Sequence, residues 1–367
     1  MVPEIINCRN RLYAEVTHIP QVLQKKHLPS LDGLRCFSIL YVIIGHVNEY
    51  NPAGNNEYLT YFLGGVFGVQ FFFVISGFLI TTLLLTEKIR TGTISLRHFY
   101  LRRLLRILPV AWLFLIVLIL LNRYFDLGIA RSDLLKGFFF VKNIGHQNDW
   151  HTAHYWSLSV EEQYYLIFPF ILSWGGMKTY LNVCFLFIGL YIVKNIFEHF
   201  YPSGHEPLYA VLNIFLNSNL LSILTGSLAS IFLFKYDIGL PRMNNVLLAI
   251  IQALLFVLAF LTFKYPKFFG LTSLMSSCSI AAGILLFIKF PFGVFHAILN
   301  NRIIAYIGRL SFSLYIWQQL FTAHQPWSGY FIYGNSIILN LVFLGIVAFL
   351  SYNYFEKPFL KLKGRFK

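Results

Sequence analysis

The stretch GVQFFFVISGFLITTLLL, residues 68–85, decides the fold, because it runs for eighteen residues without a charge. A helix needs about 20 mostly apolar residues to cross the hydrocarbon of a bilayer, and an uncharged run of this length reads as such a span. Working outward from it, the span is placed at 64–86. Nine more are predicted at 34–50, 108–125, 155–174, 178–197, 213–234, 245–263, 270–290, 303–323 and 335–356. No stretch shows the period-2 alternation, with regularly spaced turns, that a transmembrane β-barrel needs. The expected fold class is an all-α polytopic membrane protein of about ten transmembrane helices.

Composition agrees. The chain is 57% hydrophobic and only 12% charged, with a mean hydropathy of +0.63. Soluble domains carry roughly 25% charge, so this balance excludes a soluble globular enzyme and a disordered chain alike. The 29 Lys and Arg against 15 Asp and Glu give a net charge of +14. If the N-terminus is cytoplasmic and the spans alternate, 21 of the basic residues fall on the cytoplasmic side, 7 opposite, and Arg309 inside a span. That asymmetry follows the positive-inside rule and puts both termini in the cytoplasm. The basic excess is then topological, and no nucleic-acid partner is expected.

Residues 1–30 do not read as a cleaved signal peptide, since Arg9, Arg11 and Glu15 interrupt any apolar run. They are expected to form a cytoplasmic lead-in, partly amphipathic on the membrane surface. Residues 31–367 make up the membrane domain, and no fused soluble domain is expected. Cys8, Cys36, Cys184 and Cys278 are too widely spaced to support a disulfide framework or a zinc site.

Ionisable groups inside spans are costly and mark function. Arg35 and His46 are eleven residues apart, about three turns, so they share a helix face with about 16 Å between them. The run His154-Tyr155-Trp156-Ser157-Leu158-Ser159-Val160-Glu161-Glu162 opens the fourth span. Helical rise puts Glu161 about 9–10 Å, and His46 about 6 Å, below the outer ends of their spans. A histidine and a carboxylate at one depth suggest a base and the group that orients it. Glu162 points about 100° away from Glu161. On the cytoplasmic side, Arg102, Arg103 and Arg106 form a guanidinium cluster suited to phosphates or to anionic lipid. Arg309, four residues before Ser313, is a weaker signal. Phe71, Phe72, Phe73, Ser76 and Gly77 read as helix packing.

Taken in order, LDGLRCFSILYVIIGH (31–46), GVQFFFVISGFLITTLLL (68–85), FYLRRLLRILP (99–109), YWSLSVEEQYYLIFP (155–169), IGRLSFSLYIW (307–317) and YNYFEKPF (352–359) resemble the membrane acyltransferase-3 family. The resemblance covers essentially the whole chain after residue 30. It implies a ten-helix enzyme that uses acyl-coenzyme A, most often acetyl-CoA, as co-substrate, with no permanently bound cofactor and no metal. The family's first-helix Arg and His fall on Arg35 and His46, and its basic motif on Arg102, Arg103 and Arg106. Its fourth-helix Trp and Glu fall on Trp156 and Glu161. Members often have a histidine after the ninth-helix Trp, whereas Gln318 and Gln319 follow Trp317 here, so no role is carried over to them. Many relatives also carry a fused esterase-like domain.

The expected reaction is O-acyl transfer from cytoplasmic acyl-CoA to a hydroxyl of a sugar or glycolipid, in a bacterial inner membrane. Arg35, Arg102, Arg103 and Arg106 would hold the donor's phosphates, and the pantetheine arm would reach along the first helix to His46. That histidine would act as general base or as a transient acyl carrier, supported by Glu161. Trp156, Glu162 and Arg309 are candidate substrate contacts. A flippase for a lipid-linked glycan, with the buried charges lining its path, and a membrane scaffold are the competing readings. The acceptor and the acyl group are open.

Overall fold

The computed structural model describes residues 11–24, 28–50, 64–145, 149–200, 216–236, 244–264 and 271–365. Cys8, Arg9, Lys25, Lys26, Arg242, Lys267 and Lys367, counted above, lie outside those residues. Among the described residues every regular element is helical. In chain order they are α1 (Pro29–Tyr50), α2 (Val66–Thr91), α3 (Leu96–Phe125), α4 (Arg131–Phe138), α5 (Trp150–Ala153) and α6 (Tyr155–Phe200). There follow α7 (Ser218–Lys235), α8 (Asn245–Lys264), α9 (Thr272–Lys289), α10 (Val294–Leu299), α11 (Arg302–Phe321), α12 (Ile337–Leu350) and α13 (Lys357–Leu362).

Eight of the described helical stretches are long and apolar enough to cross a membrane. The one over Trp150–Phe200 contains two predicted spans. Its backbone leaves the helical region at Gly176, with φ 66° and ψ −173°, a conformation open to glycine and costly for other residues. The Tyr164 and Tyr180 hydroxyls meet at 2.9 Å, although sixteen residues of straight helix would separate them by about 24 Å. The chain therefore folds back at Gly176 into a helical hairpin. The predicted span 303–323 forms α11, which carries two arginines, two serines and two glutamines and is not among the eight.

The chain divides into two compact units. The first comprises Met1–Gly33, Gln70–Ile94 and Tyr164–Asn301. Within it, α9 packs against both α7 and α8. Small residues bring α2 and α7 into backbone contact: a Cβ on Gly77 would lie 1.9 Å from the Ile223 carbonyl oxygen, and one on Gly226 2.0 Å from that of Val74. This is the small-residue packing expected between helices in lipid. Gly77→Val is expected to abolish accumulation of folded protein, checked by size-exclusion chromatography in detergent, because backbone rather than a movable side chain occupies the space. Part of the lead-in docks here too. Glu15 takes Lys88 Nζ at 2.8 Å and the Met177 N–H at 2.9 Å, and Lys235 Nζ donates to the carbonyls of Arg11 and Ala14. Burial would raise the Glu15 carboxyl, but the Lys88 and Met177 hydrogen bonds outweigh it and hold the group below its ordinary range.

The second unit comprises Leu34–Val69, Ser95–Gln163 and Arg302–Lys367, and it holds every candidate site residue. Its longest helix, α3, has 30 residues, about 45 Å of rise. That exceeds the hydrocarbon thickness, so its first turns, with Arg102, Arg103 and Arg106, extend beyond the apolar run that begins at Ile107. A π-helical turn over Ser351–Glu356 follows α12. It turns Glu356 inward, where the carboxylate accepts from Ser313 Oγ at 2.5 Å and Ser351 Oγ at 3.0 Å.

Candidate active site

One end of the second unit concentrates positive charge. Arg35 from the start of α1, and Arg102, Arg103 and Arg106 from α3, all act electrostatically on Lys363 from beyond α13. Burial, and then the charges of Arg106, Arg103, Arg102 and Arg35, push the Lys363 ammonium down to about 8. Basic side chains from three distant parts of the chain thus come within electrostatic reach of Lys363, an arrangement suited to a polyanion. Lys363 was missed by sequence reading because the C-terminal lysines look like ordinary topological charge. Among the described residues no three His, Cys, Asp or Glu side chains converge as metal ligands would.

The other end of the unit holds His46. Its Nδ1 lies 2.8 Å from Gln318 Oε1, and its ring meets Trp150 edge-to-face with centroids 5.1 Å apart. The proton positions follow from a chain of bonds. Gln319 Nε2 donates to the Trp150 carbonyl at 2.6 Å, and a carbonyl oxygen accepts only. That settles the orientation of the Gln319 amide, so its Oε1 accepts from Gln318 Nε2 at 2.6 Å. Gln318 must then present Oε1 to His46, and Nδ1 must donate. In the neutral imidazole this leaves Nε2 with the lone pair, the form a general base needs. Trp150 closes the loop by donating its indole N–H to the Gln319 and Ala323 carbonyls at 2.9 and 3.1 Å.

The Nε2 side faces Gly65, where an added Cβ would lie 3.4 Å from both Nε2 and Cδ2 of His46. Alanine fits at ordinary contact distance and a longer side chain does not. Gly65→Ala is expected to keep turnover within about threefold, while Gly65→Leu lowers it at least tenfold by covering the nitrogen. Initial rates in membrane vesicles check both.

Beside Trp150 lies a cavity of about 640 Å³ lined by Ser132, Asp133, Lys136, Asp149, His151 and His324, among others. Asp133 pairs with buried Lys142. Burial would raise the Asp149 carboxyl, but bonds from His151 and Thr152 outweigh it and hold the group below its ordinary range. His324 sits in the left-handed region at φ 47°, uncommon for a residue with a side chain and frequent at sites. Its ring approaches Trp150 at 5.8 Å, and its carbonyl accepts from His151 at 3.1 Å.

The structure thus separates residues that the sequence reading grouped. His46 is held by Gln318 rather than by a carboxylate. The helical path starts at Trp150, with Asp149 accepting from the Thr152 N–H, not at Tyr155. Glu161 lies eleven residues beyond Trp150, about 16 Å along the helix, which is the same offset as Arg35 from His46. It stands towards the arginine end, beside Glu162, which itself feels Arg103. Trp156 is half-buried on the same helix. Arg309 is exposed and stacks on Tyr306 at 5.5 Å, near Arg106 and Tyr352 rather than His46. The signal that could have revealed Gln318 is the pair of adjacent amides in the apolar turn Ile316-Trp317-Gln318-Gln319-Leu320-Phe321.

A helical membrane protein with a held imidazole at one end of a unit and a guanidinium cluster at the other has the parts of a group-transfer enzyme. The chain belongs to the acyltransferase-3 family, whose pattern, described as an acyltransferase domain, matches residues 28–352. The similar proteins carry the corresponding activity in their names. O-acetyltransferase OatA of Staphylococcus aureus strain NCTC 8325 is 28% identical, over 94% of this chain and 59% of its own length. A protein of strain COL provisionally named an O-acetyltransferase is 30% identical, over 92% of this chain and 58% of its own. The chain spans a little under three fifths of the length of these relatives. No solved structure matches it.

Proposed function

We propose that this protein is an integral membrane O-acyltransferase that moves an acyl group, acetyl in the simplest case, from acyl-CoA to a hydroxyl of an envelope carbohydrate or glycolipid in a bacterial inner membrane. The observation that carries the reading is the hydrogen-bond chain from the Trp150 carbonyl to His46, which leaves Nε2 as a base. The basic cluster supports a cytoplasmic, polyphosphorylated donor. The cavity supports an acceptor on the opposite face, since an indole wall with acidic, basic and hydroxyl groups suits a sugar. Nε2 takes the hydroxyl proton as the oxygen bonds the thioester carbon. The Gln318 oxygen steadies the imidazolium, and the C–S bond breaks to release the CoA thiolate, which takes the proton from Nε2. Glu161 and Glu162, set towards the donor end, would help to order the cluster that receives it.

The test is mass spectrometry of surface glycans with and without the gene, joined to acetyl-CoA dependence in inverted membrane vesicles. One acyl mass per modified residue, lost with the gene and dependent on acetyl-CoA, is expected. An unchanged glycan mass with altered glycan export would support a flippase instead, for which donor binding has no use.

A further inference from the structure

Among the described residues, five buried side-chain polar atoms have no hydrogen-bond partner: Nδ1 and Nε2 of His154, Nε1 of Trp317, Oε1 of Glu162 and Nε2 of Gln252. Three of the five lie on two side chains that flank one ring. Phe114, fully buried, meets His154 at 5.1 Å and Trp317 at 5.5 Å, both edge-to-face. His154 is 3% exposed and Trp317 6%. Their polar neighbours are satisfied: the Tyr155 hydroxyl donates to the Ala111 carbonyl at 2.6 Å, and Tyr315 bonds Ser157 at 2.5 Å. Buried donors are nearly always paired, so an exception calls for an explanation such as a ligand. An indole N–H is a donor only, and a neutral imidazole carries one N–H and one acceptor nitrogen, so two N–H donors here lack an acceptor.

The position says which acceptor. Phe114 is eight residues beyond Arg106, about 12 Å along α3 from the guanidinium cluster. Trp317 adjoins Gln318, the residue that holds His46, and His154 is four residues beyond Trp150, whose ring meets His46. The two unpartnered side chains therefore stand between the basic cluster and the base. We infer that Trp317 Nε1–H and the His154 N–H bind a carbonyl oxygen of the acyl-pantetheine chain as it passes Phe114. This rests on the acyl-CoA reading above. That chain carries amide carbonyls and, at its tip, the thioester carbonyl. All are acceptors that lose water on entering an apolar passage, and the waiting N–H groups replace it. If the acceptor is the thioester, its carbonyl electron pair moves onto oxygen as the hydroxyl attacks. The N–H groups stabilise that oxyanion until the C–S bond breaks.

The test uses the full chain in lipid nanodiscs with acetyl-CoA as probe, comparing wild type, Trp317→Phe, His154→Leu and, as control, His46→Ala. A thioester contact predicts that kcat falls 100- to 1000-fold in both variants with CoA affinity unchanged. An arm-amide contact predicts at least a tenfold rise in KM for acetyl-CoA with kcat kept. Either result supports the inference. In both cases Trp317→Phe is expected to raise the Tm of the ligand-free protein, because it removes an unsatisfied buried donor, whereas a structural role for the N–H would lower it. Folded variants with wild-type kcat and KM overturn the inference. Acetyl-CoA-dependent transfer that is lost in His46→Ala shows that the underlying reading stands whichever way these variants behave.

Discussion

Replacing His46 by alanine is expected to lower acyl transfer by about 10²- to 10⁴-fold, the usual worth of a positioned base, while CoA affinity stays at its wild-type value. The separation is expected because the basic cluster stands eleven residues away on α1, about 16 Å. Acetyl transfer and CoA binding, measured on the same nanodisc preparation, check it. Wild-type turnover in a folded variant would remove His46 from the reaction. Gln318 extends the prediction. Gln318→Leu takes the acceptor from Nδ1 and leaves the imidazole free to rotate and to change tautomer, so kcat should drop about 100-fold with an unchanged KM for acetyl-CoA. Gln318→His, whose ring nitrogen can also accept from Nδ1, should recover most of that loss. A purely packing role for Gln318 would not give a kcat effect that histidine repairs.

The second large effect belongs to the arginines. Hydrogen bonds to charged groups contribute about 1.5–3 kcal/mol each, so Arg102→Gln together with Arg103→Gln should weaken CoA binding at least 100-fold, and added salt should narrow the gap. Lys363 adds a pH signature. Its ammonium is held down to about 8 by burial and by the four arginine charges, and a bound polyphosphate restores its proton by opposing those charges. Below pH 8 the lysine is already charged in the free protein, so affinity is flat there. Above pH 8 binding must take up a proton, and affinity falls as pH rises. Lys363→Met should bind more weakly at neutral pH and lose that slope. Calorimetric titration with CoA, run in two buffers of different ionisation enthalpy, reads the proton uptake directly. A slope that persists in Lys363→Met would place the titrating group elsewhere.

The sequence made legible what depends on transfer to lipid. Uncharged runs such as 68–85 declare helices, and charges embedded in such runs, Arg35 and His46 above all, stand out because their burial needs a reason. The Gly77 packing contact was equally visible, since a small residue in a span has few other uses. What hid was lateral and neutral. Gln318 carries no charge, and its bond to His46 joins residues 272 apart in the chain. An apolar run that begins at Tyr155 sets Glu161 at the depth of His46. The helical turn from Trp150, announced only by Asp149 ahead of Thr152, moves it about one and a half turns inward. Lys363 hid for the opposite reason, being one basic residue among several in a basic tail.

The chain of amides behind His46 has one more consequence. A carboxylate in the place of Gln318 could take the proton from the ring and hand it onward, as in a proton wire. A carboxamide at neutral pH cannot, because its nitrogen gives up a proton no more readily than the backbone does. The clamp therefore lets nothing drain from the imidazolium through the protein interior. In the reaction proposed above, the proton lifted from the acceptor hydroxyl would stay on the same ring until the departing sulfur removes it. Such a turnover would take up and release no proton of its own, and so would neither draw on nor build a transmembrane proton gradient.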